Sequence, residues 1–289
     1  MSTKPRERTP ATPGRFPLGA LRRAAALVIA CVVLAGGTAS AAAITSLRVF
    51  AAASLSDAFA DIAHAFEAAH PGVTVQTNLA GSQQLAAQLA LGADADVFAS
   101  ADERWMDDVA GKQLLAGNPV VFARNRLVVI IPRVNPARIA RLQDLGKRGV
   151  KVVLAADAVP AGRYSRQALQ RMAHSDGYAP DYATRVLANV VSEEKNVKAV
   201  VGKVQLGEAD AGMVYRSDVS AHVARYVRAL ALPDSANVLA SYPIAVVKAG
   251  RHHDLAQAFV DLVRSAAGQR ALEQRGLVPV SAEPAPAPK

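Results

Sequence analysis

Apolar positions along this chain alternate between a period of two and a period near three and a half. Leu47 to Ala52 is a short β-branched and apolar run, a buried strand by pattern. Directly after it, Leu55, Phe59, Ile62 and Phe66 fall on one face at helical spacing. Ser54, Ser56 or Asp57 is expected to cap that helix, each offering a short side-chain acceptor to first-turn amides. His70-Pro71-Gly72 stops it, and Val73 to Asn78 reads as a second strand. Ala80-Gly81-Ser82 then opens a helix carrying Leu85, Leu89 and Leu91, so Ser82 repeats the position of Ser54.

The pattern continues to the end of the chain. Val97 to Ser100 is a strand, followed by a short helix whose inner face is Trp105, Met106 and Val109. Two apolar runs, Pro119 to Ala123 and Arg126 to Pro132, come next. Alternation resumes with strand 150–155, helix 161–174, strand 188–191, helix 197–206 and strand 211–215. Val227 to Leu232 and Tyr242 to Val247 are the last strands, before two closing helices begun by Leu255, Phe259 and Leu262. Repeated strand–helix units predict an α/β protein with open, largely parallel sheets and helices on both faces, arranged as two lobes.

Ligands of such sheets sit beyond the carboxyl ends of strands, where helices begin and their first amides lack partners. Ser54 and Ser82 stand at two such places. Val159-Pro160-Ala161-Gly162 is a tight strand-to-helix turn, and Ser192 to Val197 is another turn in which Asn196 can cap. Tyr215 ends a strand of small residues. Singly, each reads as scaffold; four helix starts and a phenol at one cleft could hold an anion without a cationic side chain.

Length and charge narrow the class. The chain has 289 residues, enough for one large or two modest domains, and a formal charge of +9. Residues 1–41 carry +5 of that charge, and the remainder shows no long basic run, which argues against nucleic-acid binding. Arg22-Arg23, an apolar run from Ala24 to Ala35 and an A-x-A site at Ala39-Ser40-Ala41 make 1–41 a cleavable signal peptide and the protein periplasmic. Val28-Ile29-Ala30-Cys31 also resembles a lipoprotein processing box, with lipidation at Cys31 the lesser option. Cys31 is the only cysteine, so cleavage after Ala41 leaves no thiol. The Pro/Ala tail 281–289 is expected to be disordered.

Motifs for catalysis are absent. There is no G-x-x-x-x-G-K-[ST], no H-E-x-x-H, no C-x-x-C and no G-x-S-x-G. The six histidines read as solvated, and Asp94, Asp96 and Asp102 as turn and cap residues rather than a metal site. The residues favour a binder that is not an enzyme and needs no cofactor or free metal cation. A secreted enzyme using Ser54 and a histidine is the alternative.

Several segments, in this order, resemble the periplasmic molybdate-binding proteins of ABC importers, which have a type II solute-binding fold. They are Val49 to Leu55, Ala95 to Asp102 with Trp105-Met106, Val159 to Gly162, Gly212 to Asp218 and Tyr242 to Val247. The resemblance runs from about Leu47 to Pro279. It implies two lobes, 42–124 with 241–280 and 125–240, closing on molybdate or tungstate held by neutral groups. Those groups would be the hydroxyls and amides of Ser54 and Ser82, the amides of Ala161 and Val197, and the phenol of Tyr215. A monomer that delivers the anion to a membrane permease is implied as well. Where some members have a serine run, this chain has Gly81 before Ser82 and Gln83-Gln84 after it. Arg163 and Lys195 stand near two of the helix starts, as cleft-mouth charges or, more plainly, solvated ones. Tyr242 is expected to be scaffold. Another oxyanion such as sulfate, or a small organic acid, is the alternative ligand.

Overall fold

The computed structural model describes residues 44–280, so the signal-peptide reading of 1–41, Cys31 and the tail 281–289 lie outside the described residues. Two sheets carry the fold. The first contains strands Thr45–Ala52 (β1), Val73–Ala80 (β2), Val97–Ala99 (β3) and Val120–Asn125 (β4). The second contains Leu127–Pro132 (β5), Val152–Ala155 (β6), Val190–Glu194 (β7), Ala211–Tyr215 (β8) and Val227–Ala231 (β9). Ala240–Val246 (β10) and Val278–Pro279 (β11) return to the first sheet. The orders are β11-β4-β10-β3-β1-β2 and β7-β6-β8-β5-β9.

The sheets are mixed rather than largely parallel. β1 pairs in parallel with β2 and β3, and β6 with β7 and β8. β10, β11, β5 and β9 add antiparallel neighbours. The physical reason lies in the connections. Parallel neighbours need a helical crossover, whereas β4 runs into β5 through Arg126 alone and β10 comes back from the other sheet.

Helices Ser56–Ala69 (α1), Ser82–Ala90 (α2), Glu103–Gly111 (α3), Pro160–Ala173 (α4), Tyr182–Ala188 (α5), Val197–Gln205 (α6), His253–Arg264 (α7) and Ala266–Gln274 (α8) cover the sheets. Alternation along β1 explains why both faces need cover. Leu47, Val49 and Ala51 join Leu55, Phe59, Ile62 and Phe66 in one apolar cluster, while Phe50 joins Leu85, Phe98 and Met106 in the other. Phe59 packs on Phe122 and Phe259 with ring centres 5.8 Å from each. Burying such a ring stabilises the fold by roughly 1.5–3 kcal/mol.

Four local expectations change. Helix α1 starts with Leu55 as N-cap and no side-chain cap, because a 3₁₀ turn, Ala53–Leu55, already brings the backbone round. Leu91 is exposed, since α2 ends at Ala90. Helix α5 replaces an unassigned stretch, with Tyr182, Ala183 and Val186 buried at helical spacing. Ser192 to Glu194 belong to β7, which leaves Lys195 and Asn196 as the turn.

Gly162 shows how tightly the second sheet meets its helix. A Cβ there would lie 2.1 Å from the Ala156 carbonyl oxygen and 2.2 Å from that of Ala155. Gly162→Ala must therefore push the start of α4 off the end of β6. A loss of about 1–3 kcal/mol is expected, measured by denaturant unfolding; an unchanged midpoint would show that this contact relaxes freely.

Candidate functional site

Five residues from different parts of the chain line one small cavity between the two sheets: Ser54, Ser82, Ala161, Val197 and Tyr215. Each is placed by the end of a strand. Ser54 lies in the 3₁₀ turn after β1, and Ser82 is the first residue of α2 after β2. Ala161 follows Pro160, the first residue of α4, whose ring has no N–H to offer. Val197 opens α6 behind Asn196, whose side chain accepts from the Ala199 N–H at 3.0 Å. Intrahelical bonding leaves the first amides of these helices unpaired, and all of these starts border the same space. No Lys, Arg or His side chain lines it among the described residues.

The hydroxyls are held as firmly as the amides. Ser82 Oγ accepts the Ala101 N–H at 3.0 Å. Ser54 Oγ is 2.9 Å from the Tyr242 hydroxyl, so Tyr242 braces the cavity wall. Tyr215 is buried, and its hydroxyl has no hydrogen-bond partner among the described residues. Burial, with Tyr242 nearby, pushes the Tyr215 phenol well above the usual tyrosine range, which keeps it a neutral donor. Gly81 lets the α2 start approach the opposite side: a Cβ there would meet the Lys195 carbonyl oxygen at 2.6 Å.

Charge is placed outside the cavity. Arg163, from α4, donates to the fully buried Asp102 carboxylate at 2.8 Å and is neither a solvated charge nor a lining residue. Asp102 also accepts the Trp105 N–H at 3.1 Å, the cap expected from its position. Trp105 packs against the second apolar cluster as expected, and its indole N–H also donates to the Ala158 carbonyl at 2.8 Å, linking α3 to the turn before α4. Gln83 Nε2 donates to the Lys195 carbonyl at 2.8 Å, while the Lys195 residue itself is exposed. Sequence spacing held no signal for these links, because each joins segments more than 50 residues apart.

The remaining candidates have structural duties. Asp96 accepts the backbone N–H groups of Arg48, Arg251 and His252, and Asp94 pairs with Arg48 and Arg251. Among the described residues no group of three His, Cys, Asp or Glu could hold a metal ion. No described helix is long and apolar enough to cross a membrane. His70, His174 and His253 bond main-chain carbonyls, and no histidine lines the cavity.

Residues 47–278 match the bacterial extracellular solute-binding protein family, and the chain belongs to it. It is 44% identical over 231 residues to the molybdate-binding protein of Mycobacterium tuberculosis, covering 80% of this chain and 84% of that protein. Two solved structures share the fold. One is the periplasmic molybdate-binding protein of Azotobacter vinelandii, at TM-score 0.70 and 19% identity over 81% of this chain and all of that one. The other is the sulfate-binding protein of M. tuberculosis, at TM-score 0.73 and 18% identity over 82% and 88%. The fold is thus the two-lobed solute-binding architecture, with helices flanking two α/β sheets.

Asp218 makes one part of the cavity wall sensitive to pH. Its buried carboxylate accepts the Tyr215 N–H at 3.0 Å and lies 3.6 Å from Lys198 Nζ, which is 3.8 Å from Asp57. Burial outweighs the lysine and raises the Asp218 pKa to about 6. The unfolded chain titrates this group near 3.8, so the folded state holds the extra proton between the two values. Its contribution to stability is complete below pH of about 4 and is lost as pH rises through about 6, with a slope of at most about 1.4 kcal/mol per pH unit. Asp218→Asn keeps an acceptor for Tyr215 and removes the titration. Urea unfolding of the two proteins should show the variant gaining on the parent between about pH 4 and 6; parallel curves across that range would contradict the assignment.

Proposed function

We propose that this solute-binding protein captures molybdate, and tungstate, in the periplasm and delivers it to the membrane permease of an ABC importer, without catalysing a reaction. The observation that carries the reading is the cavity itself, where unpaired helix-start amides, two serine hydroxyls and an unpartnered phenol meet and no cation intrudes. The relative in M. tuberculosis, named for binding molybdate, supports the identity of the anion.

In this reading Ser54 and Ser82 serve from the first lobe, residues 42–124 with 241–280. Ala161, Val197 and Tyr215 serve from the second, residues 125–240. Only the closed form presents every donor, so binding and closure are one linked event. The protein works as a monomer, exported by the signal peptide 1–41 and free of any resident cofactor. Arg163 on Asp102 and Trp105 on Ala158 then lie across the lobes and close with them.

Selection among oxyanions rests on size. Sulfate and molybdate have the same shape and charge, but the smaller anion leaves some buried donors unpaired, at about 1–3 kcal/mol each. Calorimetry should therefore show sulfate at least a hundredfold weaker than molybdate, and equal affinities would overturn the choice of ligand. Neutral donors also predict little salt dependence, in contrast to a Lys/Arg clamp. Tyr215→Phe keeps the ring and removes one hydrogen bond to a charged acceptor. Binding should weaken roughly ten- to a hundredfold, and unchanged affinity would reduce this phenol to scaffold.

A further inference from the structure

A hydroxyl can donate to an anion only if its single proton is not used elsewhere. For Ser82 the main chain settles this, since the Ala101 N–H occupies an acceptor position and leaves the Ser82 proton for the cavity. Ser54 faces another hydroxyl, that of Tyr242, and either oxygen could donate. The surroundings decide between them.

Asn125, fully buried where β4 passes into β5, sets the direction. The Arg126 N–H donates to Asn125 Oδ1 at 3.0 Å, which identifies the oxygen end of the amide. The Asn125 NH₂ group therefore faces the other way and gives its two protons to Ser217 Oγ at 2.8 Å and Tyr242 Oη at 3.3 Å. Ser217 passes its own proton to the Ser54 carbonyl at 3.3 Å. Tyr242 Oη has two hydrogen-bonded neighbours among the described residues, and since Asn125 NH₂ can only donate, Ser54 Oγ is the acceptor for the Tyr242 proton, which leaves Ser54 with its own proton for the cavity. Each group in this chain gives and receives as its chemistry allows.

We infer that Asn125 and Tyr242 are positioning residues for anion binding, fixing Ser54 as a donor to the ligand through the one-way sequence Asn125 to Tyr242 to Ser54. Neither lines the cavity. Through Ser217, which follows β8, the same asparagine ties the first strand's end to the second sheet. The inference rests on the reading of the cavity as an oxyanion site and adds what holds one of its donors in register.

The test is a double-mutant cycle on the purified chain, titrated with sodium molybdate by calorimetry. Tyr242→Phe removes the proton that engages Ser54 Oγ, and binding should weaken about tenfold. On a Ser54→Ala background the same change should cost less than about twofold. Asn125→Asp repeats the cycle by another route: it keeps the acceptor for Arg126 but draws the Tyr242 proton to itself, so that Ser54 must donate inward. Its effect should likewise shrink when Ser54 is absent, which serves if Tyr242→Phe folds poorly. Full affinity in Tyr242→Phe, or an equal loss with and without Ser54, would overturn the positioning role and leave the site reading intact. Failure of the parent protein to bind molybdate would bring down both.

Discussion

A buried N–H group with no acceptor costs about 1–3 kcal/mol, and this fold gathers several such groups around one small space. Strand ends in both sheets lead through short turns into helices whose first amides have no intrahelical partner. Much else follows from bringing those ends together. Gly162 and Gly81 stand where a side chain would hold the segments apart, and Pro160 starts α4 without adding an N–H. The apolar clusters on both faces of the first sheet fix β1 and β2, and through them the two serines. A tetrahedral oxyanion, rich in acceptors and carrying no proton, satisfies this geometry.

Full charges are kept at one remove. Arg163 is matched by Asp102, and Lys198 lies between Asp57 and Asp218, so these two cations face carboxylates rather than the cavity. Had a guanidinium entered the cavity, any dianion would have gained, and selection by size would have weakened. Neutral donors held at fixed points make fit decisive, because a misplaced acceptor forfeits hydrogen bonds that nothing else in a dry site replaces. The pairs Arg163–Asp102 and Lys198–Asp57 also join segments far apart in the chain.

The strand and helix alternation was legible because apolar period and turn residues agree over most of 44–280. Ser54, Ser82, Ala161, Val197 and Tyr215 stand out as helix starts or strand ends in the sequence, and the structure brings all five to one cavity. What local pattern could not carry were relations across long stretches of chain. Tyr242 is 188 residues from Ser54, and nothing near either marks the bond between their hydroxyls. Trp105 reads as core and does pack there, but its bond to Ala158 comes from another segment, as do the bonds of Asn125. Strand direction was equally hidden, since β10 and β5 have the same apolar runs that parallel strands would have. The cap at α1 failed for a different reason: an intervening 3₁₀ turn freed Ser54 for Tyr242.

A crystal structure of the protein grown with molybdate tests the central claim most directly. Anomalous scattering from molybdenum would place the metal without reference to the surrounding donors. The account predicts one peak enclosed by Ser54, Ser82, Ala161, Val197 and Tyr215, with oxygens in hydrogen-bond range of their amides and hydroxyls and with Arg163 still on Asp102. A peak held by Arg163, Lys195 or any other cationic side chain, or an occupied site away from this cavity, would contradict it.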